Sequence, residues 1–207
     1  MYKKFGKRLI DIIIGVCALP FVLLVLLICG PIIYLTDKGP IFYTAERLGK
    51  DGKTYMMYKL RSMRVNAPDI RNKDGSTFNG DNDPRVTKIG RIMRKTSLDE
   101  FPQFLNVLKG DMSIIGPRPF VTTHYYGYDK LSEPMKKRLE VRPGITGYSQ
   151  AYYRNSISQD EKINNDVYYA EHVSFIFDIK IFIKTIVSVL KRENIYVSAD
   201  AKTGETK

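Results

Sequence analysis

Histidine, cysteine and tryptophan are scarce in this chain. It contains two histidines, two cysteines and no tryptophan among 207 residues. Cys17 and Cys29 both lie in one apolar segment and lack metal-ligand spacing, which argues against a zinc site and against a disulfide framework. His124 and His172 match no ligand pattern, so we assign neither of them a catalytic role.

Several nucleotide- and ion-binding motifs are also missing. Residues 142–147, Arg-Pro-Gly-Ile-Thr-Gly, form a glycine-rich turn that carries a cation and is suited to the approach of backbone to a phosphate, but the ending of a P-loop and the fingerprint of a dinucleotide-binding fold are absent. Asp81-Asn82-Asp83 lacks the glycine and the final glutamate of a calcium loop. No zinc finger, helix-turn-helix or RNA-binding signature is present, so we expect no nucleic-acid partner.

Negative charge is in short supply. The chain has 33 lysines and arginines against 22 acidic residues, a net charge of +11. Such an excess suits nucleic acid, an anionic membrane surface or anionic small substrates. The length predicts one folded domain, and an apolar content of 43% is sufficient for a core.

Residues 12–35 form a run of 24 residues without a charge. As a straight helix this run would be about 36 Å long, against a bilayer hydrocarbon core of about 30 Å. It is too long for the core of a signal peptide, and no cleavage site follows it. The run therefore predicts a helix embedded in a membrane.

The flanks of this run predict that the helix returns to the side from which it enters. Lysines and arginines precede the run, and a basic domain follows it, so both flanks favour the cytoplasmic side. Pro20 offers a bend, because a proline removes a helix hydrogen bond, and Gly30-Pro31 offers a second break. We predict a re-entrant helix over residues 1–38, a folded domain over 39–197 and a polar, disordered tail over 198–207.

Short patterns predict the remaining elements. Residues 40–44 and 54–60 predict two strands, and Asp51-Gly52 is typical of a hairpin turn. Residues 85–95 predict a basic amphipathic helix, and residues 179–192 predict another, which suits either a membrane interface or the core. The expected fold class is α+β and mostly helical, with a re-entrant membrane hairpin, a small β-hairpin and amphipathic interfacial helices.

The most informative stretch, residues 96–119, contains the adjacent carboxylates Asp99 and Glu100. Apolar residues recur beside them at helical spacing, and Gly110 is expected to end that helix. Ser97 and Glu100 together match a capping box, which would make both acids structural. Pro102 disturbs a helix that starts at Ser97 and fits one that starts at Asp99, so the local pattern leaves both hypotheses open.

The ordered motifs resemble those of a known family. Ser-Leu-Asp-Glu at residues 97–100, Asn-Val-Leu-Lys-Gly-Asp-Met-Ser at 106–113, Gly-Pro-Arg-Pro at 116–119 and the turn at 142–147 are similar to motifs of the bacterial monotopic phosphoglycosyl transferases. The resemblance runs from Lys7 to about Arg192 and is greatest to small members that consist of the catalytic core alone.

The resemblance implies an enzyme of the bacterial cytoplasmic membrane whose domain over 39–197 faces the cytoplasm. Such an enzyme moves a sugar-1-phosphate from a UDP-sugar to polyprenol (undecaprenyl) phosphate and releases UMP, as the first membrane step of glycoconjugate biosynthesis. Inner-membrane lipids would surround its helix, and a homodimer is compatible with the sequence, which does not fix the oligomeric state.

The resemblance also assigns roles to residues. Asp99 would be the nucleophile that carries a covalent phospho-sugar. Glu100 would bind Mg²⁺ together with Asp99, or position the acceptor phosphate. The remaining site residues would bind phosphate or substrate, and they are Lys59, Arg94, Arg118, Arg142 and Asp166. Without the resemblance, Lys59 fits an edge-strand lysine and Asp166 a surface acid at a helix start.

Two other functions fit parts of the sequence. A non-catalytic protein could use the basic patches to bind anionic lipids at the membrane surface, but the clustered carboxylates would weaken such binding. A membrane-bound nucleic-acid-binding protein would show an affinity that falls steeply with salt.

Overall fold

The computed structural model describes residues 1–70, 78, 80, 82–122, 125–153 and 156–191. The predicted tail over 198–207, together with Asp81 and His124, lies outside these residues. The helices are α1 Lys7–Asp37, α2 Lys88–Thr96, α3 Gln103–Lys109, α4 Glu133–Arg138, α5 Tyr148–Tyr152, α6 Gln159–Glu171 and α7 Phe175–Lys191. The strands are β1 Phe42–Leu48, β2 Thr54–Leu60, β3 Ser113–Ile115, β4 Phe120–Val121 and β5 Gly144–Thr146.

Helix α1 contains the apolar run found in the sequence. Within the described residues it is the one helix long and apolar enough to cross a membrane. The helix continues through both Pro20 and Pro31 and ends where Lys38 takes a left-handed conformation. The structure therefore shows the predicted long apolar helix, but it does not show the predicted hairpin.

Both ends of α1 are fastened to the rest of the chain. Near its start, the Arg8 guanidinium donates to the carbonyl oxygens of Val107 at 2.5 Å and Leu108 at 2.9 Å, which lie at the end of α3. At its other end, Asp37 forms an ion pair of 2.6 Å with Arg61, just after β2. The helix thus contacts the same folded domain at both ends.

The hairpin of β1 and β2 confirms the predicted turn. Asp51 and Gly52 have φ values of 56° and 73°, the left-handed pair that two-residue hairpin turns need. The second strand has the predicted bounds, whereas the first begins at Phe42 and extends to Leu48. The antiparallel register places Lys59 opposite Tyr43, and β4 pairs on the other edge of β1.

Helix α2 begins later than predicted, and its first turn shows why. The Thr87 side chain accepts from the Gly90 amide at 3.0 Å, which fixes Thr87 as the N-cap. Arg85 lies before this cap and forms a buried ion pair with Asp83. Arg85 is therefore not part of a basic helical face.

The capping-box hypothesis for Ser97 and Glu100 is wrong. Ser97 has a φ of 58° and ends α2, and its side chain caps no helix. A short 3₁₀ turn, Leu98–Glu100, follows, and α3 begins only after Pro102, which suits a residue without an amide proton. Gly110 ends α3 with a φ of 92°, as predicted.

Close backbone packing joins the Gly-Pro-Arg-Pro motif to the glycine-rich turn. Strands β3 and β5 are parallel, and the Gly116 amide donates to the Thr146 carbonyl oxygen at 2.9 Å. A Cβ atom at Gly144 would lie 2.1 Å from the Gly116 nitrogen, and one at Gly147 would lie 2.0 Å from the Gly116 oxygen. We interpreted the turn as an approach to phosphate, but these glycines instead admit a second segment of backbone.

Helix α7 covers residues 179–191 of the predicted helix and starts four residues earlier, at Phe175; Arg192 lies outside the described residues. Of its residues, Ile181 and Ser188 are buried, whereas Ile176, Ile183 and Leu190 are exposed. A helix that buries one face and exposes a second apolar face is suited to an interface between the domain and a membrane.

Asn106 connects the hairpin to α3. Its side-chain oxygen accepts from the Tyr58 amide at 2.9 Å, and its nitrogen donates to the Met56 carbonyl oxygen at 2.8 Å. The residue is fully buried, beside the core residues Val107 and Met112. The side-chain amide therefore takes the place of a neighbouring strand along the free edge of β2.

We expect Asn106→Ala to lower the free energy of unfolding by about 2–3 kcal/mol, because two backbone groups of β2 lose the hydrogen bonds that the buried Asn106 side chain makes to them. Urea unfolding in detergent, followed by circular dichroism, would measure the change. Asn164 is exposed on α6 and supplies the control. Equal stability of the Asn106→Ala and Asn164→Ala proteins would show that Asn106 does not hold the hairpin.

Candidate active site

The acidic pair lies where the 3₁₀ turn meets β2. The Lys59 ammonium donates to Glu100 Oε1 at 2.5 Å, and the two side chains are only 16% and 23% exposed. Lys59 reaches the turn because Asn106 holds β2 against the neighbouring helix α3. The edge-strand lysine considered from the sequence is thus a half-buried partner of Glu100.

Asp99 differs from Glu100 in having no ion pair. It is 9% exposed, and no salt bridge reaches its carboxylate from any residue in the described part of the chain. Burial raises the pKa of Asp99; the charge of Glu100 adds to this effect, while Lys59 and Arg94 oppose it. Asp99 is therefore a buried carboxyl group that depends on nearby cations to remain ionised.

Glu100 shows the opposite balance. Burial acts to raise its pKa, but the charges of Lys59 and Arg118, together with the Lys59 hydrogen bond, outweigh it. The pKa of Glu100 therefore lies below its ordinary value, in contrast to that of Asp99.

Two arginines complete the positive surroundings. Arg94 lies in the last turn of α2, where its Nε donates to the Ser62 hydroxyl oxygen at 3.0 Å and its charge acts on Asp99. Arg118 is exposed, and its charge acts on Glu100. The structure thus brings the acidic pair together with Lys59, Arg94 and Arg118.

The side chain of Arg142 contacts the chain at the other end of α3. Its Nε donates to the Gly110 carbonyl oxygen at 2.8 Å. Gly110 follows the C-terminal end of α3, whereas Asp99 and Glu100 precede its N-terminal end. In this structure Arg142 fixes the chain after α3.

Asp166 is buried, and the surface-acid interpretation is wrong. It lies within α6, is 3% exposed and forms an ion pair with Arg138. Burial raises the pKa of Asp166, while Arg138, Lys162 and Arg118 act to lower it. Asp166 is connected to the loop of Arg118 through Arg138, which binds both residues. No motif in the sequence marks Arg138, because it ends the run Lys-Lys-Arg and its partner Asp166 lies 28 residues further along the chain.

The carboxylates are too few to hold a metal ion alone. Within the described residues no group of three or more His, Cys, Asp or Glu side chains could bind a metal. Magnesium, however, is usually held by one or two carboxylates together with the phosphates of a substrate. Asp99 and Glu100 fit a Mg²⁺ ion that is shared with a phosphorylated ligand.

Comparison with known proteins gives consistent results. A family model described as bacterial sugar transferase matches residues 2–192. A galactosyl transferase of Streptococcus agalactiae is 43% identical over 203 residues, which cover 89% of this chain and 42% of the relative. An undecaprenyl-phosphate galactose phosphotransferase of Salmonella typhimurium is 38% identical over 211 residues, covering 94% of this chain and 42% of that protein.

The chain spans only part of these two relatives but nearly the whole of another. An uncharacterized sugar transferase of Bacillus subtilis is 38% identical over 202 residues, which cover 96% of both chains. Since the matched region contains α1, the acidic pair and the cations around it, the chain belongs to the bacterial sugar transferase family.

Proposed function

We propose that this chain transfers a sugar-1-phosphate from a UDP-sugar to undecaprenyl phosphate and releases UMP. Relatives named as undecaprenyl-phosphate galactose phosphotransferase and as UDP-glucose:undecaprenyl-phosphate glucose-1-phosphate transferase support this reaction class. The long apolar helix supports access to a lipid acceptor. Cations on three elements support binding of a diphosphate.

One observation carries the assignment of the nucleophile. Of two adjacent carboxylates, Glu100 is engaged by Lys59, whereas Asp99 is buried without an ion pair among the described residues. A nucleophile needs an oxygen that is free to approach phosphorus, and Asp99 meets this need. Glu100, as the paired acid, maintains negative charge near a metal or the acceptor.

The proposed reaction has two balanced steps. A carboxylate oxygen of Asp99 attacks the sugar-side phosphorus of the UDP-sugar, and the bond to the bridging oxygen breaks, so that UMP leaves with the electron pair. An oxygen of undecaprenyl phosphate then attacks the same phosphorus and returns Asp99 to its carboxylate form. The acceptor is already ionised and needs no general base.

The basic residues have separate tasks in this scheme. Lys59 offsets the repulsion between Glu100 and the incoming phosphates, and the charges of Lys59 and Arg94 both favour the ionised form of Asp99 against its burial. Arg118 is exposed and placed to contact the transferring phosphoryl group. Mg²⁺ held by Asp99, Glu100 and the diphosphate would neutralise charge on the leaving phosphate.

The fastening of α1 supports a re-entrant topology. Arg8 at one end and Asp37 at the other both bind the folded domain, which favours placing both ends on the side of the bilayer where that domain lies. We therefore propose that α1 enters and leaves on the cytoplasmic side, with the domain over 39–197 facing the cytoplasm of the inner membrane.

The contacts do not favour a non-catalytic lipid-binding protein. Anionic lipid head groups would be repelled by the two carboxylates at the centre of the cation cluster. Burying Asp99 without an ion pair also has an energetic cost, which a protein that only binds lipid head groups has no need to bear.

We expect a single burst of UMP when UDP-sugar is added without acceptor, in an amount no greater than the amount of enzyme, because Asp99 retains the phospho-sugar. Mass spectrometry of the protein should locate the adduct, and later addition of undecaprenyl phosphate should remove it. Asp99→Asn should lower turnover by about a thousandfold or more, while Asp160→Asn, an exposed control, should not. Full turnover by a folded Asp99→Asn protein would refute the nucleophile assignment.

We expect Glu100→Gln to behave differently, because it removes the charge that Lys59 and Mg²⁺ use while leaving Asp99 in place. Turnover should slow and the dependence on Mg²⁺ should weaken, yet some adduct should still form. Glu161 supplies the comparison, since it belongs to an exposed capping box at the start of α6. Glu161→Ala should lower the free energy of unfolding by about 1 kcal/mol and leave turnover unchanged. If Glu100→Gln and Glu161→Ala lowered turnover equally, Glu100 would have no role in the chemistry.

We expect cysteines introduced at Lys4 and Lys53 to be labelled from the same side of the membrane by an impermeant maleimide. Both lysines are exposed; Lys4 precedes α1, and Lys53 lies after it, in the turn of the hairpin. Labelling from opposite faces would disprove the re-entrant topology.

We expect Pro20→Ala to favour a straighter helix by about 3 kcal/mol of helix preference. If Pro20 supplies the bend, labelling of the Lys4 site by the impermeant maleimide should then fall.

A further inference from the structure

The loop that carries Arg118 has few backbone hydrogen-bond donors. Residues 117–119 read Pro-Arg-Pro, and proline has no amide proton, so Arg118 supplies the one backbone N–H of this segment. A residue before proline is also restricted to extended conformations. The Gly144 amide donates to the Pro117 carbonyl oxygen at 2.9 Å, and the carbonyl oxygen of Arg118 is left to accept from a side chain.

Arg138 supplies the missing constraint. Its Nη2 donates to the Arg118 carbonyl oxygen at 2.9 Å, which fixes the peptide between Arg118 and Pro119. Its guanidinium carbon also lies 5.3 Å from the centre of the ring of Phe120, which follows Pro119 and begins β4. The Arg138 side chain thus contacts the residues on both sides of Pro119.

Asp166 in turn fixes Arg138. Asp166 Oδ2 accepts from Nε at 3.1 Å and also from Nη2, the same nitrogen that binds the Arg118 carbonyl oxygen. Arg138 and Asp166 are both 3% exposed, so the pair is shielded from water. A planar fork can bridge two acceptors in a fixed geometry, which a lysine ammonium does not do.

We propose that Arg138, oriented by Asp166, is a positioning residue that directs the Arg118 guanidinium at the acidic pair. The proposal rests on the proposed function, since it assigns to Arg118 the phosphoryl group that is transferred there. Stability alone explains the pair poorly, because replacing a buried ion pair by apolar residues is often neutral or stabilising. The buried Nη1 of Arg138 has no hydrogen-bond partner, so the guanidinium does not make the largest number of hydrogen bonds available to it.

A double-mutant cycle tests this coupling. Arg138→Leu with Asp166→Leu removes the pair without leaving a buried charge, and Arg118→Met removes the side chain that the pair directs. We expect each change to lower kcat/KM for sugar-phosphate transfer by about 10–100-fold, as small misplacements of catalytic groups do. All three substitutions together should be no slower than Arg118→Met alone, because without that side chain nothing remains to be positioned.

A matched control lies on the same two helices. Lys137 and Glu171 form an exposed ion pair of 2.7 Å between α4 and α6. Replacing both by leucine should leave kcat/KM unchanged in the wild-type and in the Arg118→Met background. If loss of the buried pair multiplies the Arg118→Met effect instead, Arg138 acts through general stability and the proposal is overturned.

Two further measurements make the result decisive. If the double leucine variant does not fold, Arg138→Lys keeps a cation beside Asp166 but loses the fork, and the same cycle should show the same coupling. Calorimetric binding of UDP in Mg²⁺ repeats the cycle without turnover. Wild-type protein that binds UDP but transfers no sugar-phosphate would refute the proposed function alone; a binding cycle without coupling, or no binding, would overturn the positioning role.

Discussion

Two adjacent carboxylates can be buried together only when the charge of one is compensated, and Lys59 provides this compensation by pairing with Glu100. Several other features of the domain depend on that contact. Strand β2 must lie against the 3₁₀ turn for Lys59 to reach Glu100, and Asn106 holds it there. The sharp reversal at Ser97 brings Arg94 beside Asp99 instead of extending α2. The acidic pair thus consists of one compensated and one uncompensated carboxyl group.

Much of the excess positive charge is used inside the protein. Several arginine side chains donate to main-chain carbonyl oxygens, among them Val107 for Arg8, Pro40 for Arg61, Pro68 for Arg85, Arg118 for Arg138 and Gly110 for Arg142. These carbonyls lie at helix ends and in loops, where backbone partners are missing. The excess of arginine and lysine is therefore explained only in part by anionic ligands, because several arginines form hydrogen bonds that stabilise loops and helix ends.

Local signals in the sequence predicted local structure well. The turn at Asp51-Gly52, the bounds of β2 and the end of α3 at Gly110 each follow from the conformational preferences of a few adjacent residues. Contacts between distant segments were not predictable in this way. Asp166 looks like a surface acid until Arg138, 28 residues away, is placed beside it. The glycines of the turn at 142–147 suggested a ligand, because nothing in the sequence shows that Gly116 packs against them.

Asn106 also has a consequence for association between molecules. Strand β2 lies at the edge of its three-stranded sheet, and an open edge of this kind can recruit a strand from another chain. The side-chain amide of Asn106 occupies the Tyr58 amide and the Met56 carbonyl oxygen, the groups that an added strand would use. One buried residue thus blocks strand addition at this edge, in addition to the charge of Lys59 on the same strand.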